Sequence, residues 1–182
     1  MDFKSGHSSD PDCTGAPHVV SHSWGHSHDD EDLDFMDSYI RAWNAAGIFV
    51  VFANGNSGYA GCSTALYHAN TGFDMFKAGA TDKEDNLADF SSRGPGRYSQ
   101  ALSPNIAAPG VDVVSASNSD DNSLVSMSGT SMGAPHVAGV VALLLSNGTD
   151  FTYAQLSSLV FESATHTVPS TGGNCGGIPE TE

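Results

Sequence analysis

Ser131 is the residue in this chain best set for chemistry. It follows Gly129-Thr130, and the run continues Met132-Gly133-Ala134-Pro135-His136-Val137-Ala138-Gly139. Gly129 and Thr130 read as a tight turn, because glycine adopts backbone angles closed to other residues. Beyond Ser131, the residues Val137, Val140, Val141, Leu144 and Leu145 recur at helical spacing, which predicts a buried helix. Asn147-Gly148 marks its end. Ser131 then falls in the first turn, where backbone N–H groups lack internal partners and the peptide dipoles favour negative charge. A hydroxyl beside such donors suits attack on a carbonyl, since the oxyanion formed is stabilised there. Pro135 is expected near enough to the first turn for its missing N–H to cost little. The plain alternative is a serine that only caps a buried helix, and for an arbitrary Gly-Thr-Ser that alternative is the stronger.

The elements that must position Ser131 can be read in outline. Residues 18–23 (His-Val-Val-Ser-His-Ser) read as a strand that ends at Trp24-Gly25. Asp29, Asp30, Glu31, Asp32, Asp34 and Asp37 follow, and Phe35, Tyr39, Ile40 and Trp43 then suggest an amphipathic helix over 32–46. Its acids gather at the start, where the dipole favours them, and Gly47 stops it. The wholly apolar run Ile48 to Ala53 reads as a buried parallel strand. Residues 76–80, 87–90 and 111–115 are weaker strand candidates, and 151–162 is a second amphipathic helix with Leu156, Leu159 and Val160 inward. This order implies an α/β layered fold in one domain.

Composition excludes several functions. There are 21 acidic residues against six basic ones, a net charge of −15. Nucleic-acid binding needs cations for phosphate, so it is not expected, nor is an anionic membrane surface. No apolar run is long enough to span a bilayer, and Met1-Asp2-Phe3-Lys4 leads into polar residues rather than a signal peptide. Cys13, Cys62 and Cys175 allow one internal disulfide, by any of three pairings.

The segment from Ser126 to Gly139 resembles the nucleophile segment of the subtilisin-like serine peptidases, with Ser131 in the nucleophile's place. Gly133 is a mild departure, since Ala is usual there. Ala53-Asn54-Gly55-Asn56-Ser57-Gly58 resembles the family's turn after a buried strand. The resemblance puts Asn56 in the oxyanion position, its amide donating beside the backbone N–H of Ser131; the plain alternative is a turn asparagine. It also implies that Ser23, Trp24 and Gly25 line one wall of the pocket for the side chain before the scissile bond. Ala53, Asn54 and Gly55 line the other. Asn54 stands where Ala is usual, which would make that wall more polar. Residues 90–95 and 106–110 also fall where subtilisins carry similar segments. The implied fold is a three-layer subtilisin-like α/β domain, with a mostly parallel sheet flanked by helices. The implied activity is endopeptidase cleavage through an acyl-enzyme, the partner a polypeptide substrate, and the location extracellular. Tyr67-His68-Ala69 replaces a frequent Tyr-Pro, so that loop is expected to be trans and differently shaped. The residues give no support to a calcium site sometimes found beside it, and no cofactor is expected.

Two parts of the family's machinery do not appear in these residues. A serine needs a histidine to take its proton and an aspartate to orient that histidine. In subtilisins these lie upstream, in His-Gly-(Thr/Ser) and Asp-(Thr/Ser)-Gly segments. None of the eight histidines here is followed by Gly and then Thr or Ser. His136, in the nucleophile segment, is expected to face away from the hydroxyl. Residues 1–182 therefore read as a partial peptidase domain, the nucleophile and oxyanion half, whose missing partner is the N-terminal half. That half would supply neighbouring strands, so an unpaired sheet edge and self-association are expected. The alternative function is a non-catalytic relative that binds peptides without cutting them. A lesser one is metal binding by His22, His26, His28, Asp29 and Asp30, against a solvated polar loop.

Overall fold

The computed structural model describes residues 15–25, 34–66, 74–94, 103–148, 150–165, 174–175 and 178–179. Four parallel strands form the central sheet in sequential order: β1 (Val19–His22), β2 (Phe49–Ala53), β3 (Phe76–Thr81) and β4 (Ile106–Pro109). His22 pairs with Phe52, Ala53 with Ala78, and Ala78 with Ile106, so the C-terminal ends of the strands come together along one edge. Such an edge is where open α/β sheets bind ligands.

Alternation along the strands divides the core between two faces. Phe49, Val51, Ala53, Phe76 and Ala78 face helix α2 (Thr130–Ser146) and helix α3 (Tyr153–Ser163), packing on Ala134, Val137, Val141, Leu145, Leu156 and Val160. Val50, Phe52 and Met75 face helix α1 (Asp34–Ala45) and meet Met36 and Ile40. The result is the expected three-layer α/β arrangement. Every residue of β2 is buried, which is why its sequence is apolar without alternation. Lys77, in register with Phe52 on β3, is buried as well, and desolvation pulls its ammonium down to about 8.

Local signals explain most boundaries. Gly47 ends α1 in a left-handed conformation, φ 72°. Thr152 caps α3 and forms a reciprocal capping box with Gln155. Residues 87–90 do not form the expected strand. Asp82 Oδ1 accepts from the N–H groups of Glu84 and Asn86, which closes a tight loop straight after β3. Only a single bridge, Thr81 to Leu87, remains. The strand expected over 111–115 is β5 (Val113–Ala116), and it pairs antiparallel with β6 (Leu124–Met127), which the sequence reading missed. All four residues of β6 are exposed, so no buried pattern announces it. β4 was also missed as a strand. Two short strands, β7 (Asn174–Cys175) and β8 (Ile178–Pro179), pair near the C-terminus. The disulfide joins Cys62 to Cys175 across 113 residues; Cys13 lies outside the described residues.

Gly133 shows how closely α2 approaches the sheet. A Cβ placed there would lie 2.5 Å from the carbonyl oxygen of Gly79 on β3. Helix propensity by itself favours Gly133→Ala by about 1 kcal/mol. The clash with backbone reverses the sign, and we expect a net loss of about 1–3 kcal/mol in urea denaturation. A more stable variant would show that the approach is looser.

The outer side of α2 and the β5–β6 hairpin carry exposed apolar residues. Leu143 is 72% exposed and Leu124 70%, and Val114, Met127 and Val140 are exposed as well. Apolar patches of this kind drive association. The 182-residue chain by itself is expected to self-associate in sedimentation velocity, and Leu143→Lys with Leu124→Lys to reduce it. A monomeric, cooperatively unfolding wild-type sample would contradict this.

Candidate active site

Ser131 is the second residue of α2, as its sequence setting predicts. No residue among those described accepts its backbone N–H, so that donor points out of the helix end. Asn56 comes from the turn after β2. Its Oδ1 accepts both the backbone N–H and the hydroxyl of Thr130, each at 2.9 Å. The amide's orientation follows: with the oxygen held by Thr130, Nδ2 is the end left to donate elsewhere. Nδ2 lies 3.3 Å from where a Cβ on Gly129 would be, at the mouth of α2. Among the described residues neither Ser131 N–H nor Asn56 Nδ2 has a hydrogen-bond partner, and both stand at the start of α2.

Thr130 is the positioning residue that sequence reading missed. Its hydroxyl also accepts the N–H of Gly55 at 3.1 Å, and the residue is 1% exposed. One buried hydroxyl therefore ties the start of α2 to two successive residues of the β2 turn. The turn is held from the far side by residues 90–94. Gly58 N–H donates to Phe90 O at 2.8 Å, and Ser57 N–H to Ser92 Oγ at 2.9 Å. A Cβ on Gly58 would lie 2.2 Å from the Ser91 carbonyl, so only glycine fits.

The carbonyl of Ser131 has an unusual partner. Pro135 lies one turn deeper in α2 than its sequence reading placed it, and its missing N–H would have served Ser131 O. Ser23 Oγ supplies the hydrogen bond instead, at 2.9 Å. In return Ser131 Oγ–H points to the Ser23 carbonyl at 3.4 Å, a long contact.

The proposed pocket residues lie where β1 and β2 end. Trp24 is 43% exposed and stands edge-on to Phe52 and His22. Ala53, Asn54 and Gly55 are buried. The expectation of a more polar wall at Asn54 needs correction. Its Nδ2 donates to Ser92 O at 2.6 Å and its Oδ1 accepts from Ser103 Oγ, both inside the protein. A buried amide must be satisfied internally, so Asn54 presents backbone and not a polar side chain at the surface.

No described histidine is hydrogen-bonded to Ser131. His136 Nδ1 meets its own helix at Met132 O, 2.8 Å away. His136 and Ser131 both border a cavity of about 440 Å³ between α2 and the β5–β6 hairpin, lined also by Val114, Val125, Met127 and Pro135. His22 is stacked between Trp43 and Phe52, and burial lowers its pKa. His26, His28, Asp29 and Asp30, the other members of the possible metal set, lie outside the described residues, as does the loop at 67–69.

Residues 11–176 match the model of the subtilase family of peptidases. The chain belongs to the subtilase family. It is 34% identical over 163 residues to Bacillopeptidase F of Bacillus subtilis (strain 168), covering 86% of this chain and 11% of that protein. It is 37% identical over 122 residues to Subtilisin DY of Bacillus licheniformis, covering 67% of this chain and 41% of that one. Among solved structures it resembles Sphericase, with a TM-score of 0.72 and 27% identity, over 85% of this chain and 52% of that chain. The chain thus spans less than half the length of these curated relatives and about half of the solved one.

Thr130 offers a direct check on the site's framework. Thr130→Val leaves the buried Gly55 N–H without its acceptor and removes one of the two bonds to Asn56. We expect a loss of about 1–3 kcal/mol in stability, with Thr130→Ser close to wild type. Equal stability of the valine and serine variants would show that the hydroxyl does not hold the turn.

Proposed function

We propose that this chain carries the nucleophile and the oxyanion donors of a subtilisin-like serine endopeptidase. The observation that carries the reading is that Thr130, the residue before Ser131, holds Asn56 Oδ1 by two hydrogen bonds and so orients the amide at the start of the same helix. In the reaction, Ser131 Oγ attacks the scissile carbonyl as a base takes its proton. The carbonyl oxygen becomes an oxyanion between the two donors. Collapse breaks the C–N bond, the amine leaves with the proton, and water then hydrolyses the acyl-enzyme by the same path. In the chain joined to the aspartate and histidine segments, Asn56→Ala should lower kcat by about 10²–10³, a magnitude known from a subtilisin donor of this kind. An extended substrate would lie between residues 23–25 and 53–55, pairing with backbone.

Among the described residues no histidine is placed as the base. His136 is tied to Met132 O, and His22 sits in an aromatic stack. A histidine and its aspartate must come from the segments that other subtilases carry upstream. The 182 residues by themselves are therefore proposed to be inactive, since loss of the histidine costs about 10⁶-fold. An extracellular location fits both the family and the Cys62–Cys175 disulfide, which persists in oxidising compartments. Among the described residues no helix is long and apolar enough to cross a membrane.

Peptide hydrolysis decides the matter. The chain joined to an upstream segment with the aspartate and histidine motifs should cleave unfolded protein, and Ser131→Ala should abolish it. The chain by itself should show no cleavage above the Ser131→Ala background. Cleavage by the lone chain that Ser131→Ala removes would refute the inactivity, and a silent joined protein would refute the peptidase reading.

A further inference from the structure

Gly25 and Gly55 stand on facing segments. His22 and Phe52 are the last register pair of β1 and β2, and each glycine follows its partner by three residues. Two facing glycines leave room for a side chain between them. Here the room is already taken. A Cβ on Gly25 would lie 2.7 Å from Leu66 Cδ1, and a Cβ on Gly55 would lie 2.9 Å from Leu66 Cγ. The isobutyl group of Leu66 therefore touches both walls.

Leu66 is held there by its backbone. Its N–H donates to Asn54 O at 2.9 Å, and Asn54 is itself fixed by Ser92 and Ser103. Ala65 beside it is 1% exposed. Thr64 N–H donates to Arg93 O, and Thr64 Oγ1 accepts Arg93 N–H, both at 3.0 Å. Moving Leu66 out of the gap by a backbone shift would break this ladder. Only a change of rotamer is open to it, and Leu66 is half-buried among these walls.

We propose that Leu66 is the specificity-determining residue of this site, blocking the gap between Gly25 and Gly55. The site would then accept peptides with a small neutral residue (Gly, Ala or Ser) before the scissile bond, and reject aromatic ones. The proposal rests on the peptidase reading above for the direction in which substrate lies. A filled apolar pocket discriminates by sterics, since a large side chain must displace Leu66 or distort the ladder behind it.

The test separates binding from cleavage. The full-length protein with Ser131→Ala, including its aspartate and histidine segments, is titrated with hexapeptides that differ only in Ala or Phe at the position entering the gap. Calorimetry should show the Ala peptide binding at least tenfold more tightly. Leu66→Gly should shift the ratio at least tenfold toward Phe, and Leu66→Ala should shift it part of the way if the glycine variant folds poorly. Equal binding of the two peptides by the protein with Leu66 intact would overturn the proposal, as would an unchanged ratio in a folded Leu66 variant. Discrimination in binding with no hydrolysis of either peptide by the protein retaining Ser131 would refute the peptidase reading and leave the role of Leu66 standing.

Discussion

The site depends on one buried hydroxyl. Thr130 sits where α2 begins, and its side chain joins the Gly55 N–H to the Asn56 amide oxygen. The helix end and the turn after β2 are thereby one rigid unit. An oxyanion donor must be in place before charge develops, because reorganising it during the reaction costs much of the benefit. Asn56 is exposed, so without the pair of donors on Thr130 its amide could rotate freely. Two bonds to its oxygen remove that freedom and assign its nitrogen to the outside.

A second constraint links Ser131 to β1. Proline in the second turn of α2 leaves the Ser131 carbonyl without its helical donor. The hydroxyl of Ser23, at the end of β1, fills that role. A helix defect thus becomes a tether between Ser131 and the end of β1. Together with the close approach of Gly133 to Gly79, it sets the height and rotation of α2 over the sheet. Ser131, Asn56 and Ser23 come from three elements, and each is placed by hydrogen bonds to another of the three.

The chemistry proposed for this helix end is electrostatic preorganisation, with no proton acceptor for Ser131 among the described residues. Ser131 Oγ–H has a carbonyl beside it and no base among the described residues. A serine hydroxyl in that state is a poor nucleophile however well its oxyanion site is built. Val114 and Met127, exposed on the β5–β6 hairpin, border the cavity that Ser131 opens on. Acid-rich composition keeps the rest of the surface solvated.

Much of this was legible in the chain. The apolar run of β2, the helical spacing after Ser131 and the stop at Gly47 each reflect local physics, and the matching elements lie within a residue or two of the reading. The Ser131 and Asn56 segments carried the family through short, specific motifs. Tertiary structure decided the rest, because it concerns partners distant in sequence. Which cysteines join, where Asn54 turns its amide, what replaces the bond lost at Pro135, and that Leu66 lies between Gly25 and Gly55 all depend on contacts made across the sheet. β6 was invisible for a related reason: its residues are exposed, and only pairing with β5 makes them a strand. The residues themselves determined what chemistry Ser131 could take part in. Only the packing of α2 against the sheet decided which groups would surround it, since hydrogen bonds over such distances have no local signature.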